Sequence, residues 1–329
     1  MHPEISLILL SVLSGIGQGL FILLVILDFL FMDRLTESFV YIALAKSFIL
    51  PSLGILASTF HLGNPSRGYK AFRKWKQSWL SREMIFAPAF LFFVFAYAFL
   101  FYSGAPDNSR RLVGLLGVLS SLGLYLSTAM LYARISFVKE WATPLTVINF
   151  FLLGITSGFT TTLAGLALSN SDTTVFNLVL RLTYSIGAVA LALKLATYFF
   201  NARHYQPLTE NNALGISTGK INILDWGTSY AHYNTREYFF PITNLQILTH
   251  QIAVFTLAFV LPALLLCYAS DNAGNGNGSF ILYTALILMT AGLVIERRLF
   301  FIQGNHIQNL YYGNFRRNKV NNPILSTPR

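Results

Sequence analysis

Two residues of this 329-residue chain place an acid–base side chain where an apolar run meets polar sequence: His61 and Glu83. They lie in the stretch STFHLGNPSRGYKAFRKWKQSWLSRE, residues 58–83, which also carries Arg67, Lys70, Arg73, Lys74, Lys76 and Arg82. Histidine changes charge near neutral pH and donates or accepts hydrogen bonds. A carboxylate at hydrogen-bond reach can pass protons on towards water. Together at one membrane face, the pair suits a quinone, whose two-electron chemistry also moves two protons at its carbonyl oxygens. The same spacing suits a plain loop clamp, with His61 capping one helix and Glu83 bonded to a nearby arginine. Residue type and spacing leave both open.

The elements that must position this pair are apolar spans. The composition is 54% hydrophobic and 11% charged, with a mean hydropathy of +0.56; soluble domains carry about 25% charged residues. A bilayer core requires about 20 apolar residues per helix. Eight segments meet that length: 5–32, 38–60, 84–103, 112–132, 144–168, 175–200, 244–268 and 279–302. The sequence therefore predicts an all-α membrane protein, an eight-transmembrane-helix bundle forming a single integral membrane domain over 1–329. The opening run lacks a basic start and a cleavage site, so it reads as a retained first helix. The longest connection, 201–243, holds Tyr205, Trp226, Tyr230, Tyr233 and Tyr238, which suit a small surface subdomain or the lipid interface. DNAGNGNGS at 271–279 reads as a flexible turn, and 303–329 as a C-terminal tail. Ser11, Gly15 and Gly19, and Gly154 with Gly158, recur every four residues and predict close helix contacts. GIGQG at 15–19 lies within a membrane helix without a preceding strand, so it is no dinucleotide fingerprint.

The net charge of +10 is set between spans rather than on a soluble face, which argues against nucleic acid. With eight spans, both termini share a side with the 61–83 loop. That side holds Arg67, Lys70, Arg73, Lys74, Lys76, Arg82, Arg134, Lys139, Arg203, Lys220, Arg236, Arg297, Arg298, Arg316, Arg317, Lys319 and Arg329. The other holds Arg34, Arg110 and Arg111. By the positive-inside rule the termini and the loop are cytoplasmic. The competing reading is a docking face for an acidic partner.

Ionisable residues inside spans are costly and need partners. Asp28 and Lys46 are expected to neutralise one another across the first hairpin, and Arg181 and Lys194 to snorkel or pair. Haem b held between helices wants facing histidines at depth. His61, His204 and His250 instead fall near helix ends and do not support it. The lone Cys267 excludes an intrachain disulfide and reads as packing, and no metal site is predicted in this chain.

Three stretches carry a family resemblance: MHPEISLILLSVLSGIGQG at the start, STFHLGNPSRGYKAF with SWLSRE in the loop, and ERRLFFIQGNHIQNLYYG near the end. On these the chain resembles the membrane anchor subunits of the DMSO reductase family, the DmsC type. The resemblance implies a subunit without redox metals of its own. It would anchor a four-cluster iron–sulfur subunit and, through it, a molybdopterin catalytic subunit, and exchange electrons with ubiquinone or menaquinone. Quinone binding would fall to His61 and Glu83; Asn64, Arg67, Ser81 and Arg82 belong to the same motif and would shape the loop or dock the iron–sulfur subunit.

Respiratory DMSO reductases keep their catalytic subunits in the periplasm, whereas the basic loop here predicts a cytoplasmic docking side of the inner membrane. That arrangement resembles the membrane-bound sulfite dehydrogenases of the SoeABC type, which oxidise sulfite to sulfate and reduce quinone. The alternatives are an anchor for a DMSO or related reductase drawing on menaquinol, and a secondary transporter without redox partners. No inverted repeat or pair of broken mid-membrane helices favours the transporter.

Overall fold

The computed structural model describes residues 4–59, 70, 72–169, 171–204, 214–216, 219, 240, 242–271, 278–306 and 309. Among them, eight helices are long and apolar enough to cross a membrane, and no strand occurs. They are α1 (Ile5–Phe31), α2 (Glu37–Thr59), α3 (Trp79–Tyr102), α4 (Asp107–Ala133), α5 (Pro144–Leu168), α6 (Thr173–His204), α7 (Asn244–Val254 continued by a π-helical turn Phe255–Val260 and Leu261–Asp271) and α8 (Gly278–Gln303). The shortest has 23 residues, about 35 Å at 1.5 Å per residue, enough for a hydrocarbon core of about 30 Å. The protein is a multi-pass membrane protein.

Two starts lie earlier than the hydropathy suggests. The third helix begins at Trp79 rather than 84, because the Ser78 side chain accepts from the Ser81 amide and caps it. The fourth begins at Asp107 rather than 112, directly after Pro106. Polar first turns escape a hydropathy window but are still helix. Most of 201–243, the turn at 272–277 and the tail beyond 309 fall outside the described residues, so the expected surface subdomain does too.

The bundle is organised around α1 and α5, the two most buried spans. They cross where side chains vanish. A Cβ on Gly15 would stand 3.4 Å from the Gly154 Cα, and one on Gly19 would stand 3.0 Å from the Ile155 Cα. In lipid, where apolar surface alone does not drive helices together, this backbone approach supplies the packing. The Tyr125 hydroxyl on α4 locks the crossing by donating to the Gly15 carbonyl at 2.6 Å. One apolar cluster gathers Phe21, Leu24, Phe39, Phe90 and Tyr97; a second gathers Ile16, Trp141, Leu153, Met289 and Phe301.

One end of the bundle is closed by a buried ionic cluster on Asp28. Arg110 donates to both carboxylate oxygens, from Nη2 at 2.7 Å and Nε at 3.3 Å. Tyr97 adds a hydroxyl at 2.8 Å, and Arg111 reaches the Asp28 carbonyl at 3.2 Å. The expected Asp28–Lys46 pair does not form. Asp28 is in the last turn of α1, whereas Lys46 is nine residues into α2, so the two differ in depth by about 9 Å. Lys46 instead donates to the Tyr283 hydroxyl at 3.1 Å and lies over its ring.

Asp28 has no exposed surface, and removing one member of such a buried pair typically costs about 3–5 kcal/mol. Asp28→Ala should therefore lower the thermal unfolding midpoint of the purified protein in detergent, while Lys46→Met leaves it nearly unchanged. Equal midpoints for Asp28→Ala and the parent would contradict the assigned pairing.

Candidate quinone-facing site

At the other end of the bundle lies Glu83. Because α3 starts at Trp79, Glu83 is four residues inside the helix, about 6 Å from its first residue, and not at its opening. It is 8% exposed. The Thr128 hydroxyl on α4 donates to its Oε1 at 2.6 Å. Its other oxygen makes no hydrogen bond to a described residue. Along the same helix Leu80, Phe92, Phe95 and Phe99 are exposed, giving α3 a broad lipid-facing surface.

Ser81 and Arg82 are part of this helix, not of the loop. Ser81 is buried, and its amide meets the Ser78 cap. Arg82 donates from Nε to the Trp75 carbonyl and from Nη2 to the Lys76 carbonyl, both at 2.9 Å. Its guanidinium stacks 4.0 Å over the Trp79 ring. Arg82 therefore ties the end of the basic segment to the first turn of α3 and turns away from Glu83. His61, Asn64 and Arg67 lie outside the described residues.

Behind Glu83, towards α5, α6 and α8, is an ionic cluster that residue spacing alone did not resolve. Glu296 on α8, wholly buried, accepts from Lys194 on α6 and from its neighbour Arg297. Lys194 was expected to snorkel or to pair, and it pairs; Arg181 is exposed. Arg297, expected among the loop-side cations, is only 4% exposed and lies 3.9 Å over the Phe150 ring. Its place inside α8, six residues before the helix end, keeps it from the surface. The signal in the sequence was Glu296-Arg297 at the end of an apolar run, with Lys194 at similar depth on α6.

Tyr132 shares Phe150 and Phe300 with this cluster. It is one turn beyond Thr128 on α4, and its ring packs against Trp141, Phe150, Phe300 and Phe301 at centroid distances of 5.6, 5.8, 5.4 and 5.4 Å. The Trp141 ring nitrogen donates to the Phe300 carbonyl at 2.8 Å and fixes this aromatic wall to α8.

Among the described residues no group of three or more His, Cys, Asp or Glu gathers as metal ligands would. His250 is half-buried, with its Nδ1 2.7 Å from the Gln246 carbonyl. What the described side chains at this end supply is proton handling and hydrogen bonding.

The pattern of the DMSO reductase anchor subunit (DmsC) family matches residues 1–313. The chain belongs to that family. It is also 35% identical over 327 residues to a subunit of the sulfite dehydrogenase of Allochromatium vinosum, a match that covers 95% of this chain and 99% of that protein. No solved structure matches. Membership in the DmsC family makes the chain the membrane anchor of a molybdenum oxidoreductase, and sets aside a transporter that works alone.

Proposed function

We propose that this DmsC-family anchor passes electrons from an iron–sulfur partner to a quinone bound at Glu83 and His61, in a complex whose molybdopterin subunit oxidises sulfite. One observation carries the quinone reading: a carboxylate buried just inside the membrane face, held through one oxygen by Thr128, with no hydrogen bond to a described residue at the other. That geometry fits the ligand. A quinone needs a polar partner for its carbonyl end, which Glu83 would supply from the bundle-facing side of α3, the side it shares with Ala87, Phe90 and Val94.

When bound, a quinone accepts two electrons and two protons. Glu83 would hold a proton at the oxygen that Thr128 does not meet and hand it to the quinone carbonyl, with Thr128 fixing the rotamer so that the oxygen keeps its direction. His61 would offer the second hydrogen bond. The electrons would arrive from a cluster of the iron–sulfur subunit, which is proposed to hold four. Sulfite oxidation to sulfate takes one oxygen from water and releases two electrons and two protons, so one sulfite matches one quinone. The sulfite part rests on the full-length likeness to a sulfite dehydrogenase subunit.

The docking side follows from charge. All three arginines assigned to the Asp28 end have acidic neighbours: Arg110 and Arg111 beside Asp28, and Arg34 with Asp172 at 3.9 Å. At the Glu83 end, Lys70, Arg73, Lys74 and Lys76 are exposed and meet no carboxylate among the described residues. Uncompensated cations favour the cytoplasmic side of a bacterial inner membrane, which would put the catalytic partners in the cytoplasm. The same site facing outward would serve a reductase instead, running electrons from quinol to the partner.

Two measurements test this. His61→Ala and Glu83→Gln should each lower quinone-linked turnover of the assembled complex by about 100-fold, the usual scale for losing a proton-transfer group. Turnover with an artificial electron acceptor should be unchanged; unimpaired quinone-linked turnover in both variants would remove these residues from the site. For sidedness, a cysteine placed at Gln77 in a Cys267→Ala background should react with a membrane-impermeant thiol reagent only after cells are opened. Labelling of intact cells would favour the reductase orientation.

A further inference from the structure

At the junction of α5, α6, α8 and the 134–143 connection, the described structure leaves a cavity of about 10 Å³. That is room for about one water. Its lining runs from the half-buried Glu140, Asn201 and Gln303 to the buried Asn149, Lys194 and Arg297. Three helices each bring to this lining a polar atom that is sealed from solvent and has no hydrogen-bond partner among the described residues. They are Asn149 Oδ1 from α5, Tyr198 Oη from α6 and Arg297 Nη1 from α8. A fourth such atom, Glu140 Oε2, belongs to the connection. Sealing a polar group without a partner is costly, and native interiors pair nearly all of them. Four on the lining of one small cavity mark a place where something polar belongs.

What belongs there follows from the direction of each group. The Thr197 hydroxyl gives its proton to the Leu193 carbonyl at 2.8 Å. It therefore accepts from the Asn149 amide at 2.7 Å, which turns Nδ2 to Thr197 and leaves Oδ1 a pure acceptor. Arg297 gives Nε to Glu296 and lies 3.9 Å over the Phe150 ring, and its Nη1 can only donate. The Tyr198 hydroxyl can do either, and its ring centre lies 5.0 Å from the Lys194 ammonium. The occupant must accept from Arg297 and donate to Asn149. A chloride or other monatomic anion cannot donate and would face the Asn149 oxygen lone pair to lone pair. A metal cation cannot accept and would be repelled by Lys194 and Arg297. Water does both and fits the volume.

We propose that the cavity is a hydration site, in which one internal water accepts from Arg297 Nη1 and donates to Asn149 Oδ1 and so joins α5 to the Lys194–Glu296–Arg297 trio of α6 and α8. Among the described residues no hydrogen bond runs directly from that trio to α5; Arg297 meets α5 through the face of Phe150. The water supplies the polar link, and Tyr198 offers it a further partner from α6. The half-buried Glu140, Asn201 and Gln303 give it a polar way in, so it exchanges with bulk water without the helices parting. The water site does not depend on a quinone at Glu83.

The test is a cryo-EM map of the intact complex at a resolution that shows ordered waters, paired with hydroxyl-radical footprinting of the same sample. The map should show one peak within hydrogen-bond distance of both Asn149 Oδ1 and Arg297 Nη1, and the peak should stay when chloride is left out of the buffer. Under a short radiolysis pulse Tyr198 should be oxidised, because radicals form at the bound water beside it. Asn149→Leu, which removes the acceptor, should lose both the peak and the Tyr198 oxidation, whereas Tyr198→Phe should keep the peak. A dry cavity, a direct Asn149–Arg297 hydrogen bond or a peak that vanishes without chloride would overturn the proposal. Equal Tyr198 oxidation in Asn149→Leu and the parent would do the same. Where Asn149→Leu does not assemble, the parent map and the chloride-free map decide.

Discussion

Glu296 is wholly buried between Lys194 and Arg297, and the arrangement of the Glu83 end depends on that trio. In a bilayer a charged side chain has no water to retreat to, so its partners must come from neighbouring helices. Lys194 brings α6 to α8; Arg297 presses on Phe150 of α5 and on Phe300. Three helices are thus fixed in rotation and depth by one carboxylate. The aromatic wall of Trp141, Phe150 and Phe300 follows from that placement, and so does the packing of Tyr132 against it.

The two ends of the bundle treat their acids differently, and the difference is where function enters. Asp28 receives donors on both oxygens from Arg110 and Tyr97 and is finished as a structural group. Glu83 receives a donor from Thr128, and no described residue meets its other oxygen. Small residues at the α1–α5 crossing and the Tyr125 bond to Gly15 keep the middle rigid.

The spans were legible because an apolar run of some twenty residues admits few other readings in a chain with so little charge. The glycine spacing at 15, 19, 154 and 158 was legible for the same reason: a small-residue face in lipid has little use except close approach. Pairing was not. Asp28 and Lys46 looked adjacent in the first hairpin, but depth, which depends on helix starts, gave Asp28 to Arg110. The first turn of α3 was hidden by its polar residues, although Ser78 was there as a cap. Glu83 was found from its residue type and its place at the edge of an apolar run, whereas Thr128 and Tyr132 carry no local signal and emerge only when α3 and α4 are packed. Arg297 was counted with the loop-side cations, and Glu296 was not singled out, because charges at the end of an apolar run usually face water.

The central claim is that a quinone meets this anchor at the Glu83 end. Photo-crosslinking of the intact complex with a photoreactive quinone, followed by peptide mapping, tests it most directly. Adducts should fall on peptides carrying residues 58–84 and 124–132, and Glu83→Gln should diminish them. Adducts confined to the Asp28 end, around residues 28–37 and 97–111, would contradict the account.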